Sequence, residues 1–574
     1  MTATSIEPQR SFVPADLDLA NADALEALYR RLLDRPIHNS AELEGWLADF
    51  SELTAAVDEY GSRRYIDKSC HTEDAEIEKR FLHFVENVEP RTKPLFFALQ
   101  QKFLESPYRA ALKGRRFEML DRNWRADVDV FRDQNVPIET EVTKIVNEYD
   151  KIFGRMMVEF RGGQYTMQQM SRFLDESQRT TRQEAWEATT RRRLENHGEV
   201  EEIFERLLPL RQQIARNAGL LDFRDYAWKA RKRFDYTPED CLEFSEAIAE
   251  HCVPLVNQLN SRRSADLGVG RLRPWDLEVD PHGRPPLRPF KEDQIATFVQ
   301  KTREIFDRLS PELARDFESL ETNHNLDLQS RKGKQPGGYQ MSLEESRQPF
   351  IFMNAAGVQR DIETLLHEGG HAFHFLAACR NEPLCFLRGA PMEFCEVASM
   401  SMELLGSEHF DVFYDEAQAS RARRKLIEGI IRFLPWMATI DSFQHWIYTH
   451  PEQTRQQRRD FWLGLLNRFG GNIDWAGYET ARATLWQRQL HLFHSPFYYI
   501  EYGIAQLGAL QLWLKAKMDA RGALASYRAA LSLGGTRPLP ELFAAAGIQF
   551  DLSSKTLRPL MQALGEELAR VDSD

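Results

Sequence analysis

The segment Asp361-Ile-Glu-Thr-Leu-Leu-His367-Glu368-Gly369-Gly370-His371-Ala-Phe-His374-Phe375 holds the residues whose types and spacing most clearly suit chemistry. Histidines four apart on a helix lie one above the other on one face, so His367 and His371 can reach a single ion. Neutral imidazole is a good zinc ligand. Glu368, beside the first histidine, can serve as general base toward a water at the metal and then hand the proton to a leaving amine. With 15 His in 574 residues, chance supplies roughly 0.03 matches to His-Glu-x-x-His. The competing reading is a surface helix with two unrelated histidines. Leu365, Leu366, Phe373 and Phe375 argue against it, because they mark a buried helix. So do Gly369 and Gly370, which cost about 1 kcal/mol each against Ala inside a helix. A helix tolerates that where something must approach its backbone closely.

A catalytic zinc takes three protein ligands and keeps an open position. His374 shares the face of His371 but lies a further turn along, which suits a supporting or packing role. A downstream carboxylate must then complete the set, and Pro391-Met-Glu393-Phe-Cys-Glu396-Val-Ala-Ser399-Met-Ser-Met-Glu403 is its obvious source. Pro391 suits a first helical turn. Glu393, Glu396 and Glu403 share one face, and spacing alone gives Glu396 and Glu393 even odds against a background of ordinary solvated glutamates. Farther on, His491-Leu-Phe-His494-Ser-Pro496-Phe-Tyr498-Tyr499-Ile-Glu-Tyr502 offers neutral donors for a carbonyl oxygen that gains charge as water attacks. Tyr498 and Tyr502 are four apart, and His491 can hold a donor or the substrate. On spacing alone an aromatic core stripe is the better reading of this segment.

The elements that must position these residues are mostly helices. Apolar residues recur three and four apart over Ala24–Leu33, Ala41–Tyr60, Glu76–Asn87 and Val142–Phe160, and one long charged helix is expected over Thr180–Ala218. The Arg191-Arg192-Arg193 run within it reads as a solvated face. Ser261–Phe290, rich in Gly, Pro and Arg around Pro274-Trp275-Asp276-Leu277, reads as a loop or connection. Gly333, Pro336, Gly337, Gly338 and Tyr339, followed by Pro349-Phe-Ile-Phe-Met-Asn354, predict a small β-sheet. The apolar stretch Pro496–Ala516 carries Glu501 and Lys515 and is expected as a buried helix rather than a membrane span. The net charge of −13 disfavours nucleic acid or an anionic membrane as partner. The six cysteines, with no Cys-x-x-Cys pair, give little support to a disulfide scaffold or a thiolate zinc site. The N-terminus shows no basic stretch followed by an apolar run, so a cytoplasmic protein is expected.

Together these motifs resemble the oligoendopeptidase F and thimet oligopeptidase family of zinc peptidases. The resemblance rests on His367-Glu368-Gly369-Gly370-His371-Ala-Phe-His374 and on Gly389 followed by Phe394-Cys395-Glu396-Val397-Ala398-Ser399, with Ala398 where the family usually has Pro. Pro274-Trp275-Asp276-Leu277, Gly333-Lys334, Gly337-Gly338-Tyr339, Pro349–Asn354 and the His- and Tyr-rich segment also look like family landmarks. They cover roughly residues 180 to 560. The resemblance implies one zinc per chain on His367, His371 and Glu396, with Glu393 and His374 as supporting residues. It implies Glu368, Tyr498, Tyr502 and His491 as catalytic residues, and Gly337, Gly338, Tyr339 and Tyr499 as substrate contacts. It further implies a mainly α, two-lobed ellipsoid with a deep channel and a small β-sheet beside the zinc helix. A helical N-terminal region 1–180 would precede a catalytic region 181–574. The expected activity is endopeptidase cleavage of short unstructured oligopeptides. A zinc exopeptidase of dipeptidyl carboxypeptidase type and an inactive helical peptide-binding protein are the alternatives.

Overall fold

The computed structural model describes residues 10–571 other than 292, 332 and 336. Pro336 of the expected turn, and the first nine residues read for a signal, lie outside them. The chain is 70% helical, and its described residues form two small sheets. It divides into two compact units, both discontinuous in sequence: residues 1–129, 288–423 and 508–550 form one, and 130–287, 424–507 and 551–574 the other. No helix among the described residues is long and apolar enough to cross a membrane.

In the first unit, helix α1 (Ser40–Cys70) starts at Asn39, whose side chain accepts the amide of Glu42. Trp46 and Phe50 on α1 pack with Trp124 and Phe386 in an aromatic core, and the Trp46 indole donates to the carbonyl of Leu32 at 2.9 Å. The expected small sheet is present. Strands β1 (Leu326–Gln329), β2 (Tyr339–Leu343) and β3 (Gln348–Ala355) lie in the order β1-β3-β2, with β3 parallel to β1 and antiparallel to β2. Central β3 is covered on both faces, and Phe350, Ile351, Phe352 and Met353 are all buried. A strand so enclosed reads as a continuous apolar run rather than an alternating one.

The chain leaves β3 into helix α2 (Gln359–Asn381). Its start is fixed by Asp361, whose carboxylate accepts the amides of Ala356 and Val358, both at 2.9 Å. Ile362, Leu365, Leu366, Ala372 and Phe373 are almost wholly buried, so α2 is a core helix, with β3 and β2 packed beside it. Helix α3 (Met392–Ser407) follows Pro391 at its N-cap and packs along α2.

In the second unit the expected helix Thr180–Ala218 is two: Arg179–Glu195 and His197–Asn217, broken at Asn196. The expected helix to Phe160 ends at Gly154, and Met157–Phe160 pairs with Gly163–Thr166 as a hairpin. The Pro274–Asp276 turn is an anchor within the Gly- and Pro-rich region. Asp276 is fully buried and receives Arg179 at 2.7 and 2.9 Å and Arg182 at 3.2 Å. A carboxylate removed from water needs cations of this kind. The remaining core elements include the 34-residue helix Glu416–Thr449, which begins in the first unit and runs through the second.

Candidate metal centre

A close helix crossing builds the centre. A Cβ placed on Gly370 would lie 2.6 Å from the carbonyl oxygen of Ala398 and 2.6 Å from the Cα of Ser399. With no side chain there, α2 and α3 meet backbone to backbone. Gly369 gives the same room to the ring of Phe306, which a Cβ would meet at 2.8 Å. The two glycines that weaken the helix intrinsically are therefore the points where neighbours press against it. The hydroxyl of Tyr527 donates to the Ala398 carbonyl at 2.8 Å and ties α3 from behind.

The crossing places Glu396 opposite the histidine pair. Its Oε2 is 3.4 Å from His367 Nε2 and 3.6 Å from His371 Nε2. Donors bound about 2.0–2.2 Å from a tetrahedral zinc stand about 3.3–3.6 Å apart, so this triad fits such an ion without rearrangement. Two imidazoles and a carboxylate are also the right donor chemistry. The side chains of His367 and His371 keep 22% and 17% exposure against 5% for Glu396. One side of the triad is therefore open, as a site that must admit water and substrate requires.

Supporting contacts orient the triad. His367 Nδ1 donates to Glu403 Oε1 at 2.6 Å, which leaves the Nε2 lone pair for a metal. The hydroxyl of Ser399, fully buried, lies 3.0 Å from the backbone carbonyl of Glu396 and 3.2 Å from its Oε2, and shares its one proton between them. Sequence reasoning put Glu403 on the right face but gave it no role, and it did not single out Ser399 as a hydrogen-bond donor. Glu393, the expected supporting acid, is buried in the first turn of α3. His374 is also buried, lies edge-on to Phe394 with centroids 6.0 Å apart, and falls outside the ligand triad. Burial, reinforced by nearby His371, pushes its pKa down to about 3 and favours a neutral ring.

Burial opposes charge on His367, but its bonds to Glu396 and Glu403 outweigh that and hold its pKa well above the ordinary imidazole value, so a metal binding here would displace the proton that Nε2 otherwise carries. His371 is pushed down to about 4, chiefly by burial, and presents a neutral ring. Glu368 is buried beside them. Burial raises its carboxyl to about 7, against the opposing pull of His367, and the neighbouring Glu396 and Glu403 raise it further. The backbone amide of Gln340, on β2, faces it and draws its pKa slightly back down. β2 is an edge strand of its sheet, so its main chain lies beside the candidate base.

Gly337 has φ +104°, a conformation that favours glycine. At Gly338 a Cβ would press within 3.4 Å of the Phe352 carbonyl oxygen. Tyr339 is taken up in packing. Its ring stacks on Phe352 at 4.8 Å and its hydroxyl is 2.5 Å from Ser69 Oγ.

The tyrosine segment lies in the second unit. His491, Tyr498, Tyr499 and Tyr502 form one half-buried cluster, with His491 centroids 5.9, 5.0 and 5.9 Å from the three tyrosines and Tyr498–Tyr502 at 5.3 Å. Tyr498 precedes the helix Tyr499–Met518 rather than lying within it. Gln489 lies 2.7 Å from His491 Nδ1, and the Arg231 guanidinium sits over the Tyr498 ring at 5.3 Å.

Known families and solved structures match most of this chain. Residues 12–131 match the Peptidase M3 N-terminal domain, and residues 172–562, more than half of the chain, match Peptidase family M3. An oligoendopeptidase F homolog of Mycoplasma pneumoniae is 24% identical over 49% of this chain and 48% of its own length. Oligopeptidase PepF of Bacillus subtilis is 24% identical over 40% of this chain and 34% of its own. The chain thus covers less than half the length of these curated relatives. The solved structure of PZ peptidase A with an inhibitor superimposes with a TM-score of 0.90 at 26% identity, covering 98% of this chain and 99% of that one. Oligoendopeptidase F from Enterococcus faecium shares the fold, with a TM-score of 0.62 at 14% identity and 97% of both chains covered. With the family match spanning both sides of the His-Glu-x-x-His helix, the chain belongs to Peptidase family M3.

Proposed function

We propose that the protein is a zinc-dependent endopeptidase that hydrolyses internal bonds of short, unstructured oligopeptides. The observation that carries this reading is the spacing of His367 Nε2, His371 Nε2 and Glu396 Oε2, with a buried carboxyl, Glu368, one residue from the first ligand. Zinc held by His367, His371 and Glu396 would polarise the scissile carbonyl and lower the pKa of water. Glu368 takes the proton of the attacking water on its carboxylate and delivers it to the nitrogen of the leaving amine. Tyr498 or Tyr502 donates a hydrogen bond to the carbonyl oxygen as it gains charge, and His491, held by Gln489, supports that donor. An extended peptide adds its main chain at β2, near Gly337, Gly338 and Tyr339, with Tyr499 as a further contact. Binding through the main chain gives affinity with little side-chain selectivity. None of the six cysteines is in a disulfide, which supports a reducing compartment such as the cytoplasm.

The test is metal analysis of protein purified without chelator, joined to mass spectrometry of the products from a defined peptide mixture. Zinc at this centre and internal cleavage that stops on chelation and returns with zinc are expected. Metal-free protein, or cleavage indifferent to chelation, would overturn the proposal.

A further inference from the structure

A second group of metal-ligating side chains lies wholly within the second unit, away from the chemistry above in sequence and in role. Cys241 on the helix Pro238–His251 faces Asp441 and His445, one turn apart on the helix Glu416–Thr449. One ligand atom from each of the three lies within 4.8 Å of the others. All three residues are buried, Cys241 and Asp441 to 0% exposure.

Two features set this group apart from an ordinary buried polar contact. Neither carboxylate oxygen of Asp441 and neither ring nitrogen of His445 has a hydrogen-bond partner among the described residues. A carboxylate fully removed from water without hydrogen bonds is costly and calls for a cation. His445 Nε2 stands 3.2 Å from Asp441 Oδ2, and the pair is not aligned as a hydrogen bond. That separation is close to the roughly 3.3 Å expected between nitrogen and oxygen donors on one tetrahedral zinc. Trp228 and Phe497 flank the His445 ring in tilted and edge-on contacts, with centroids 5.5 and 5.4 Å away, which restricts its orientation.

We infer that Cys241, Asp441 and His445 form a second, structural metal site for a thiolate-tolerant divalent ion such as zinc. The donor set of sulfur, nitrogen and carboxylate oxygen selects zinc over calcium or magnesium, which require oxygen ligands. The ion would clamp Pro238–His251 to Glu416–Thr449, two helices that build the core of the second unit. It supplies the positive charge that the buried Asp441 lacks, and the thiol gives up its proton on binding. The count of one zinc per chain expected from the His-Glu-x-x-His motif then rises by one. Sparse cysteines hid the site in the sequence, because its sulfur and its Asp-x-x-x-His pair are brought together only by the fold.

Cobalt(II) distinguishes this site from the first, whose ligands are nitrogen and oxygen only. The full chain, stripped of metal and titrated with cobalt(II) alone, is expected to bind a second ion per chain and to develop the near-ultraviolet charge-transfer absorption of a cobalt–thiolate bond. Cys241→Ala should abolish that absorption and one equivalent of metal. The double variant His367→Ala with His371→Ala should keep both the absorption and one equivalent. Should Cys241→Ala fail to fold, the spectrum of the native sequence and of the double variant decide the matter. Absence of thiolate absorption in the native sequence, or its persistence in folded Cys241→Ala, overturns the assignment. The first of these results would leave Asp441 and His445 as a buried ion pair.

Discussion

Glu368 combines an ordinary sequence position with an unusual environment. It is one residue from His367, buried, and raised from 4.5 to about 7 chiefly by that burial. A general base must be ionised, so activity should fall as pH drops through its pKa. A bound cation favours the carboxylate and pulls that value down. The acid limb of kcat/KM is therefore expected between 4.5 and about 7, and a pH–rate profile checks it. Glu368→Gln should retain metal by elemental analysis, because Glu368 is not in the ligand triad, while hydrolysis falls by about 10²–10⁴. Near-full activity in that variant would assign water activation to another group. Glu403→Gln keeps the shape but weakens the acceptor on His367 Nδ1, and changes of this kind cost about 10–100-fold in metal affinity. Competition with a chelator of known affinity measures it, and unchanged affinity would make Glu403 a bystander. The histidine pair and Glu368 were legible because they sit within five residues of one helix. Glu403 was not, because it meets His367 across 36 positions and only through the way α2 and α3 cross.

At the scale of elements, Gly370 governs that crossing. An added methyl meets backbone atoms at 2.6 Å, which no side-chain rotation can relieve. Gly370→Ala should push α3 away from α2, carry Glu396 off the histidines, and lower both Tm and metal content. The matched control is Gly429→Ala, inside the helix Glu416–Thr449 with open space around it. That change should be neutral or stabilising by up to about 1 kcal/mol, since Ala is the better helix former. Thermal melts and metal analysis of the two variants separate packing from propensity, and a Gly370→Ala protein with native Tm and metal would refute the crossing argument. The sequence carried the need for a close neighbour, through two costly glycines, but not the identity of that neighbour. The same limit explains the misplaced boundaries. Periodicity continues across Asn196, so one helix was expected where the chain turns at that residue. Met157–Phe160 is too short a strand for its alternation to stand out from the preceding helix, although Gly154 carried the usual signal for a helix end.

At the scale of the whole molecule, the two sets of residues proposed for catalysis belong to different compact units assembled from distant parts of the chain. The metal triad, Glu368 and the β2 edge lie in the unit of residues 1–129, 288–423 and 508–550, and the His491–Tyr502 cluster lies in the other. Mainly helical character was legible throughout from three- and four-residue spacing, whereas this division was not, because each unit closes on segments hundreds of residues apart. What the molecule can accept as substrate follows from the way β2 would bind it. An edge strand offers main-chain hydrogen bonds, and a partner must present its own backbone in extended, unpaired form. Short flexible peptides do so at little cost, whereas the interior strands of folded proteins are already paired. Peptides blocked at both ends, by acetylation and amidation, should therefore be cut at internal bonds at rates close to those of their unblocked forms, and native folded proteins should survive unchanged. Mass spectrometry of both reactions reads the outcome. Loss of cleavage on blocking either end would mean that a terminal charge is recognised and would make the enzyme an exopeptidase. Degradation of folded substrates would mean that recognition does not depend on a free extended backbone.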